Sequence, residues 1–171
     1  MARSEHGRHE RDDLTGEHAL TDIGQLILAV AFAAVWIADT FFLRLTTFLN
    51  AHVPLAVRIP VGVTILVGAA CLARSSHRII FGQRRAEPRV VREGVFAWVR
   101  HPMYLSELLL YAGLWAISLS WMAAGVGALA GAFLHTVARH EERLLLERFG
   151  DEYARTMREV PMWLPRPRRK P

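Results

Sequence analysis

The chain has 171 residues, 52% of them hydrophobic, with a formal net charge of +5 and a positive mean hydropathy. A soluble domain of this size seldom carries several long apolar runs, so the composition excludes an ordinary globular protein and predicts an all-α integral membrane bundle. Lys170 is the only lysine among the 21 basic residues. The arginines cluster beside apolar runs, which argues against nucleic-acid binding and suits lipid headgroups and an acidic ligand. The single Cys71 lies inside an apolar run and excludes an internal disulfide framework.

Residues 1–20 are polar, mixed in charge and rich in histidine, and they lack the charged-then-apolar pattern of a cleaved signal. With His6, His9 and His18 they read as a solvated tail rather than a metal tract, and no metal site is expected elsewhere. The first apolar run extends from Thr21 to about Leu45, long enough to cross ~30 Å of hydrocarbon. Asp22 followed by Gln25 resembles a capping box at its start. Near its far end Asp39 is expected to stay close to water and Arg44 to snorkel. The second run extends from Pro54 to about Ala73, with Arg58 at snorkelling depth.

Residues 74–101 form an arginine-rich loop. Next comes an apolar run from Met103 to about Leu119, joined through Ser120-Trp121 to another from Met122 to about Ala138. So short a link implies an antiparallel helical hairpin. Gly127 and Gly131 make a small-xxx-small pair that would let two helices approach closely. After Arg139 the pattern turns amphipathic, with Glu141, Leu145 and Phe149 at helical steps. Gly150 is placed to end or kink that helix, and Asp151 to Val160 can resume it before Pro161. The expected organisation is a tail over 1–20, a membrane domain over 21–138 and aqueous helices with a basic tail over 139–171. The bundle has about four transmembrane helices, and the positive-inside rule places both termini and the 74–101 loop in the cytoplasm.

The junction between loop and third run reads Gly94-Val-Phe-Ala-Trp-Val-Arg-His-Pro-Met-Tyr104. Pro102 suits the first helical position, which puts His101 at the cap and leaves the N–H groups of Met103, Tyr104 and Leu105 open to an anion. Arg100 and His101 add donors beside them.

Val90-Val91, Gly94-Val95-Phe96, Arg100-His101-Pro102-Met103-Tyr104, Glu141-Glu142, Phe149-Gly150, Tyr153 and Val160-Pro161 occur in one order and spacing. Together they resemble the integral membrane methyltransferases, namely isoprenylcysteine carboxyl methyltransferase and its relatives, including phospholipid N-methyltransferases. The resemblance covers residues 83 to 165. It implies S-adenosylmethionine as cofactor, bound at the cytoplasmic helix ends by His101, Pro102, Tyr104, Glu141 and Glu142. Val90 and Val91 would offer backbone groups, Phe96 stands where the family has a tyrosine, and Gln83 matches a cofactor-contacting glutamine if two residues are deleted. The family's second tyrosine after Phe-Gly is Thr156. The arginine that faces a prenylcysteine carboxylate is Val137, and Arg139 lies roughly 200° around the helix from it.

The resemblance does not supply Glu107. Tyr104, Glu107, Tyr111 and Ser118 share one helical face, and an ionised glutamate facing lipid would be costly, so Glu107 should face the bundle and border the pocket. The alternative is an interfacial glutamate paired with Arg100 or Arg92. Arg100 and Glu107 are the expected catalytic residues. The function so read is methyl transfer to a lipophilic acceptor held by the bilayer. The alternatives are a phospholipid amine, a small thiol, or a non-catalytic membrane scaffold.

Overall fold

The computed structural model describes residues 19–82 and 89–165, and the regular structure among them is entirely helical. The histidine-rich tail and Gln83 lie outside the described residues. Helix α1 (Ala19–Ile37) runs on into a π-helical turn, Ala38–Leu43. Helix α2 (Leu55–Phe81) returns, α3 (Pro102–Ser118) and α4 (Trp121–Phe149) form a hairpin, and α5 (Asp151–Glu159) follows. Short 3-10 turns occupy Phe48–Ala51 and Gly94–Ala97.

Three helical stretches are long and apolar enough to cross a membrane: Asp22–Leu43, Leu55–Phe81 and Trp121–Phe149. The third apolar run is helix α3, whose 17 residues rise about 26 Å, less than each of these three. It ends where its apolar run was expected to end, because Leu119 turns left-handed at φ 50°. Ser120 then caps α4 by accepting the Ala123 N–H at 3.1 Å. Both α2 and α4 outrun their apolar sequence. The first carries Arg74 and Arg78 within its helix, and the second continues unbroken through Arg139 to Phe149. Gly150, at φ 51°, ends α4 as its position suggested, and α5 begins at the next residue.

One end of the bundle gathers the start of α1, the end of α2, the start of α3 and the end of α4. Gln25 reaches Glu107 and His101 reaches Glu142 at that end, while Gly94 packs on Ile79. The core between the ends is Phe32, Tyr111, Ala123 and Ala130, and apolar side chains such as Ile27 and Val30 face outward, as lipid-facing surfaces do.

At the far end two charged residues turn inward, contrary to their expected interfacial positions. Asp39 is fully buried and accepts from the N–H of Leu45 at 2.8 Å, the N–H of Thr46 at 3.1 Å and Ser120 Oγ at 2.6 Å. The Thr46 hydroxyl donates to it as well. A carboxylate with donors on both oxygens withstands burial that an unpaired one would not. Arg58, 8% exposed, donates to Asn50 Oδ1 at 2.6 Å and to the Ile117 carbonyl at 2.8 Å. Snorkelling is the default only where no internal acceptor lies within reach.

The close helix approach also falls elsewhere than expected. A Cβ on Gly62 would stand 2.3 Å from Ile117 and 2.9 Å from the Gly113 carbonyl, so α2 and α3 meet backbone to backbone there. Gly127 and Gly131 have only ordinary contacts, at 3.4 Å or more, with Phe32, Tyr111 and Leu108.

Candidate active site

Pro102 opens α3 with His101 as its N-cap. The Leu105 N–H, expected to be open, already donates to the His101 carbonyl at 3.0 Å, so the anion-binding reading of the helix start loses one donor. What the first turn does instead is aim side chains at α4. Arg100 Nε donates to Glu142 Oε1 at 2.6 Å, and His101 Nε2 lies 3.3 Å from the same oxygen. His101 Nδ1 is 3.5 Å from Glu141 Oε2, and the Tyr104 hydroxyl donates to Glu141 Oε1. The His101 and Tyr104 rings stack, centroids 5.7 Å apart and 10° from parallel.

Arg100 also ties down the end of the chain. Its Nη1 donates to the carbonyls of Met157 at 3.0 Å and Val160 at 2.5 Å, and its backbone N–H donates to the Pro161 carbonyl at 3.0 Å. That strap brings the Trp163 ring within 6.0 Å of His101, and its indole N–H donates to His135 Nδ1 at 3.2 Å.

Glu142 is 2% exposed, and its second oxygen, Oε2, is buried with no hydrogen-bond partner among the described residues. Burial disfavours a charged His101, but hydrogen bonds and charge from Glu141 and Glu142 outweigh it and hold the imidazole above its ordinary pKa. Burial, reinforced by the Glu142 charge and opposed by Arg100, pushes the Tyr153 phenol well above the usual tyrosine value.

Of the residues expected in the site, Arg100, His101, Pro102, Tyr104, Glu141 and Glu142 come together here. Val90, Val91 and Phe96 lie half-buried on the approach segment, Phe96 in the 3-10 turn. No hydrogen bond or ring contact among the described residues joins them to the glutamates. Arg139 is exposed and does not replace the arginine missing at Val137.

Glu107 sits one turn further into α3, away from Arg92 and Arg100, which pair with Glu159 and Glu142. Gln25 of α1 donates to its Oε2 and the Tyr111 hydroxyl to its Oε1. No cation among the described residues reaches it. It borders a cavity of about 340 Å³ between α1 and α3. Gln25 therefore does not cap α1, whose helix begins before Asp22. An amide in an otherwise apolar run was the signal for it. Trp163 left no such signal, since only the Arg100 strap brings it near.

An all-α bundle with several membrane-length helices and a histidine–carboxylate cluster at one end defines a multi-pass membrane protein with a polar site at its helix termini. The chain belongs to the phospholipid methyltransferase family, whose sequence model matches residues 57–152, more than half of it. It is thus a membrane methyltransferase of a family that shares a superfamily with isoprenylcysteine carboxyl methyltransferase and acts on lipid-type acceptors. Members typically use S-adenosylmethionine. A comparison with curated proteins gives no match.

Proposed function

We propose that the protein methylates an amine on a lipophilic acceptor, using S-adenosylmethionine held at the Arg100–Glu142 end. The observation that carries the acceptor class is Glu107, a carboxylate with two neutral donors and no cation among the described residues. It lies one turn, about 4.5 Å of rise, from Tyr104.

The donor set fits a cofactor bearing an amino-acid moiety. The unpartnered, buried Glu142 Oε2 and the half-buried Glu141 both call for a cationic donor, and leaving such an oxygen unmatched costs about 1–3 kcal/mol. His101, Tyr104, Glu141 and Glu142 would hold the cofactor, with Pro102 setting the helix start and Val90, Val91 and Phe96 flanking it. Once bound, S-adenosylmethionine supplies a methyl group already activated on a sulfonium. Arg100 is a positioning residue on this reading, because its guanidinium is engaged by Glu142 and two carbonyls.

The chain's own contribution is alignment, exclusion of water and handling of one proton. A carboxylate has about four acceptor positions, so Glu107 keeps capacity after Gln25 and Tyr111 have donated. It attracts the acceptor's ammonium and takes its proton on a carboxylate oxygen, which frees the nitrogen lone pair for attack. A carboxylate acceptor would instead meet like charge at Glu107 and find no arginine at Val137. The site and both termini face the cytoplasm by the arginine distribution. On this reading α3 completes a fourth crossing, and residues 139–159 cover the pocket.

The test is Glu107→Gln in the purified protein in lipid nanodiscs, with phosphatidylethanolamine as acceptor. Methyl transfer should fall about tenfold or more, equal to at least ~1.4 kcal/mol in the barrier, with S-adenosylmethionine affinity nearly unchanged. Full activity on the amine would refute the role of Glu107.

A further inference from the structure

The cavity beside Glu107 has one polar pole and an otherwise hydrocarbon lining. Gln25, Glu107 and Tyr111 stand at the pole nearest the site. Phe32 forms the floor, 1% exposed, with its ring 4.4 Å from that of Tyr111. Leu26 and Leu110 edge the mouth and are 64% and 43% exposed, on helix surfaces that face lipid in a spanning bundle. The lining continues to Leu114, seven residues beyond Glu107, about 10 Å along the helix axis. Ala29 and Ala33, four residues apart on α1, leave the space that larger side chains would fill.

We propose that this slot between α1 and α3 binds the aliphatic chain of the acceptor, which enters sideways from the bilayer. The proposal rests on the reading of Glu107 as partner of the acceptor's headgroup. A ligand filling the slot must be amphipathic in one direction, with a polar or cationic end beside Glu107 and hydrocarbon toward Leu114. An amphiphile drawn from the same leaflet meets that description, and its head then stands one helical turn from the Tyr104–Glu141 cluster. The family match begins at residue 57, so α1, which supplies Gln25 and half the slot, lies outside it. Chain selection is on this reading a property that α1 adds to the methyltransferase unit.

The test uses the full chain in nanodiscs of saturated phosphatidylcholine, with dodecylamine carrying a mid-chain diazirine as probe. After illumination, mass spectrometry maps the adducts. Label should concentrate on Leu26, Ala29 and Leu110 about tenfold over lipid-facing α2 residues such as Val61 and Val67, and excess dodecylamine should compete it away. Ala29→Phe and Ala33→Phe should each cut slot labelling about tenfold without altering S-adenosylmethionine affinity. Label spread evenly over α1, α2 and α3, as from annular lipid only, would overturn the slot, and that readout on the wild-type chain needs no variant to fold. The same probe built as a dodecanethiol separates the two readings. Equal slot labelling by the thiol, unaffected by Glu107→Gln, keeps the chain site and removes the amine preference.

Discussion

Replacing Arg100 by methionine separates a strut from a catalytic group. The Arg100 and Glu142 side chains are 10% and 2% exposed, so removing the cation leaves a buried carboxylate whose remaining polar neighbour is the His101 ring. Breaking a buried ion pair from one side typically costs about 3–5 kcal/mol. The two bonds to the Met157 and Val160 carbonyls are lost with it, each about 1.5–3 kcal/mol because the donor is charged. These terms share one side chain and do not add, so the expected loss is about 4 kcal/mol, read from reversible unfolding in mixed micelles. Arg100→Met/Glu142→Leu removes both charges and should recover about 2 kcal/mol of that, since an apolar pair of similar volume is often no worse than the ion pair. S-adenosylmethionine binding should stay lost in the double variant, because Glu142 itself is gone. Arg100→Lys keeps the charge without the planar fork and should fall between wild type and methionine. A purely catalytic arginine gives another pattern, with activity lost and stability unmoved. A cost below about 1 kcal/mol for Arg100→Met, or strict additivity in the double variant, would refute the strut.

Two further outcomes follow from the same geometry. Gln25→Leu leaves one Glu107 oxygen without its donor, so acceptor KM should rise severalfold while S-adenosylmethionine affinity stays unchanged, and an unaltered KM would detach α1 from the acceptor. His101 has a folded pKa raised above the ordinary 6.5, so its stabilising share is complete below about pH 6.5 and is lost as pH climbs through the folded value. His101→Gln should flatten that decline in unfolding measurements carried upward from about pH 6.5, and an unchanged slope would assign the titration elsewhere.

The features legible in the sequence were those with a local cause. Apolar runs marked the helices, Pro102 marked the start of α3, and Gly150 marked the end of α4 because its backbone takes a positive φ there. The ordered motifs marked the His101–Glu142 cluster. What stayed illegible depends on rotation about a helix axis and on partners distant in the chain. Depth along the run gave Asp39 and Arg58 an interfacial position, but not the inward azimuth that delivers them to Ser120 and Ile117. The glycine spacing at 127 and 131 was visible, yet the tight approach uses one glycine from each of two helices, Gly62 and Gly113. No spacing within a single segment encodes such a pair. Arg100 was read as a free donor because its acceptors, Met157 and Val160, lie more than fifty residues away.

The position of α1 rests on polar ties more than on its apolar surface. Lipid tails are as apolar as leucine, so side-chain burial gives little drive for one membrane helix to choose another, and packing and hydrogen bonds decide. Gln25 to Glu107 makes the tie at the site end, and Asp39 to Ser120 makes it at the far end. Between them the Trp36 indole donates to the Leu114 carbonyl at 3.0 Å and lies 3.1 Å from Ser118 Oγ. The Trp36 bond falls on Leu114, the last α3 residue lining the proposed acceptor slot, so it holds that end of the slot in place. Trp36→Phe keeps an aromatic ring and removes the donor. Interhelical hydrogen bonds in membranes average about 0.6 kcal/mol and reach about 1.7, so stability should fall by no more than that. The larger effect should appear in acceptor choice. With the Leu114 end loosened, longer alkylamines should gain in kcat/KM relative to dodecylamine, while Glu107 still receives the head and cofactor affinity holds. A Trp36→Phe protein with an unaltered chain-length profile would mean that the indole does not bound the slot.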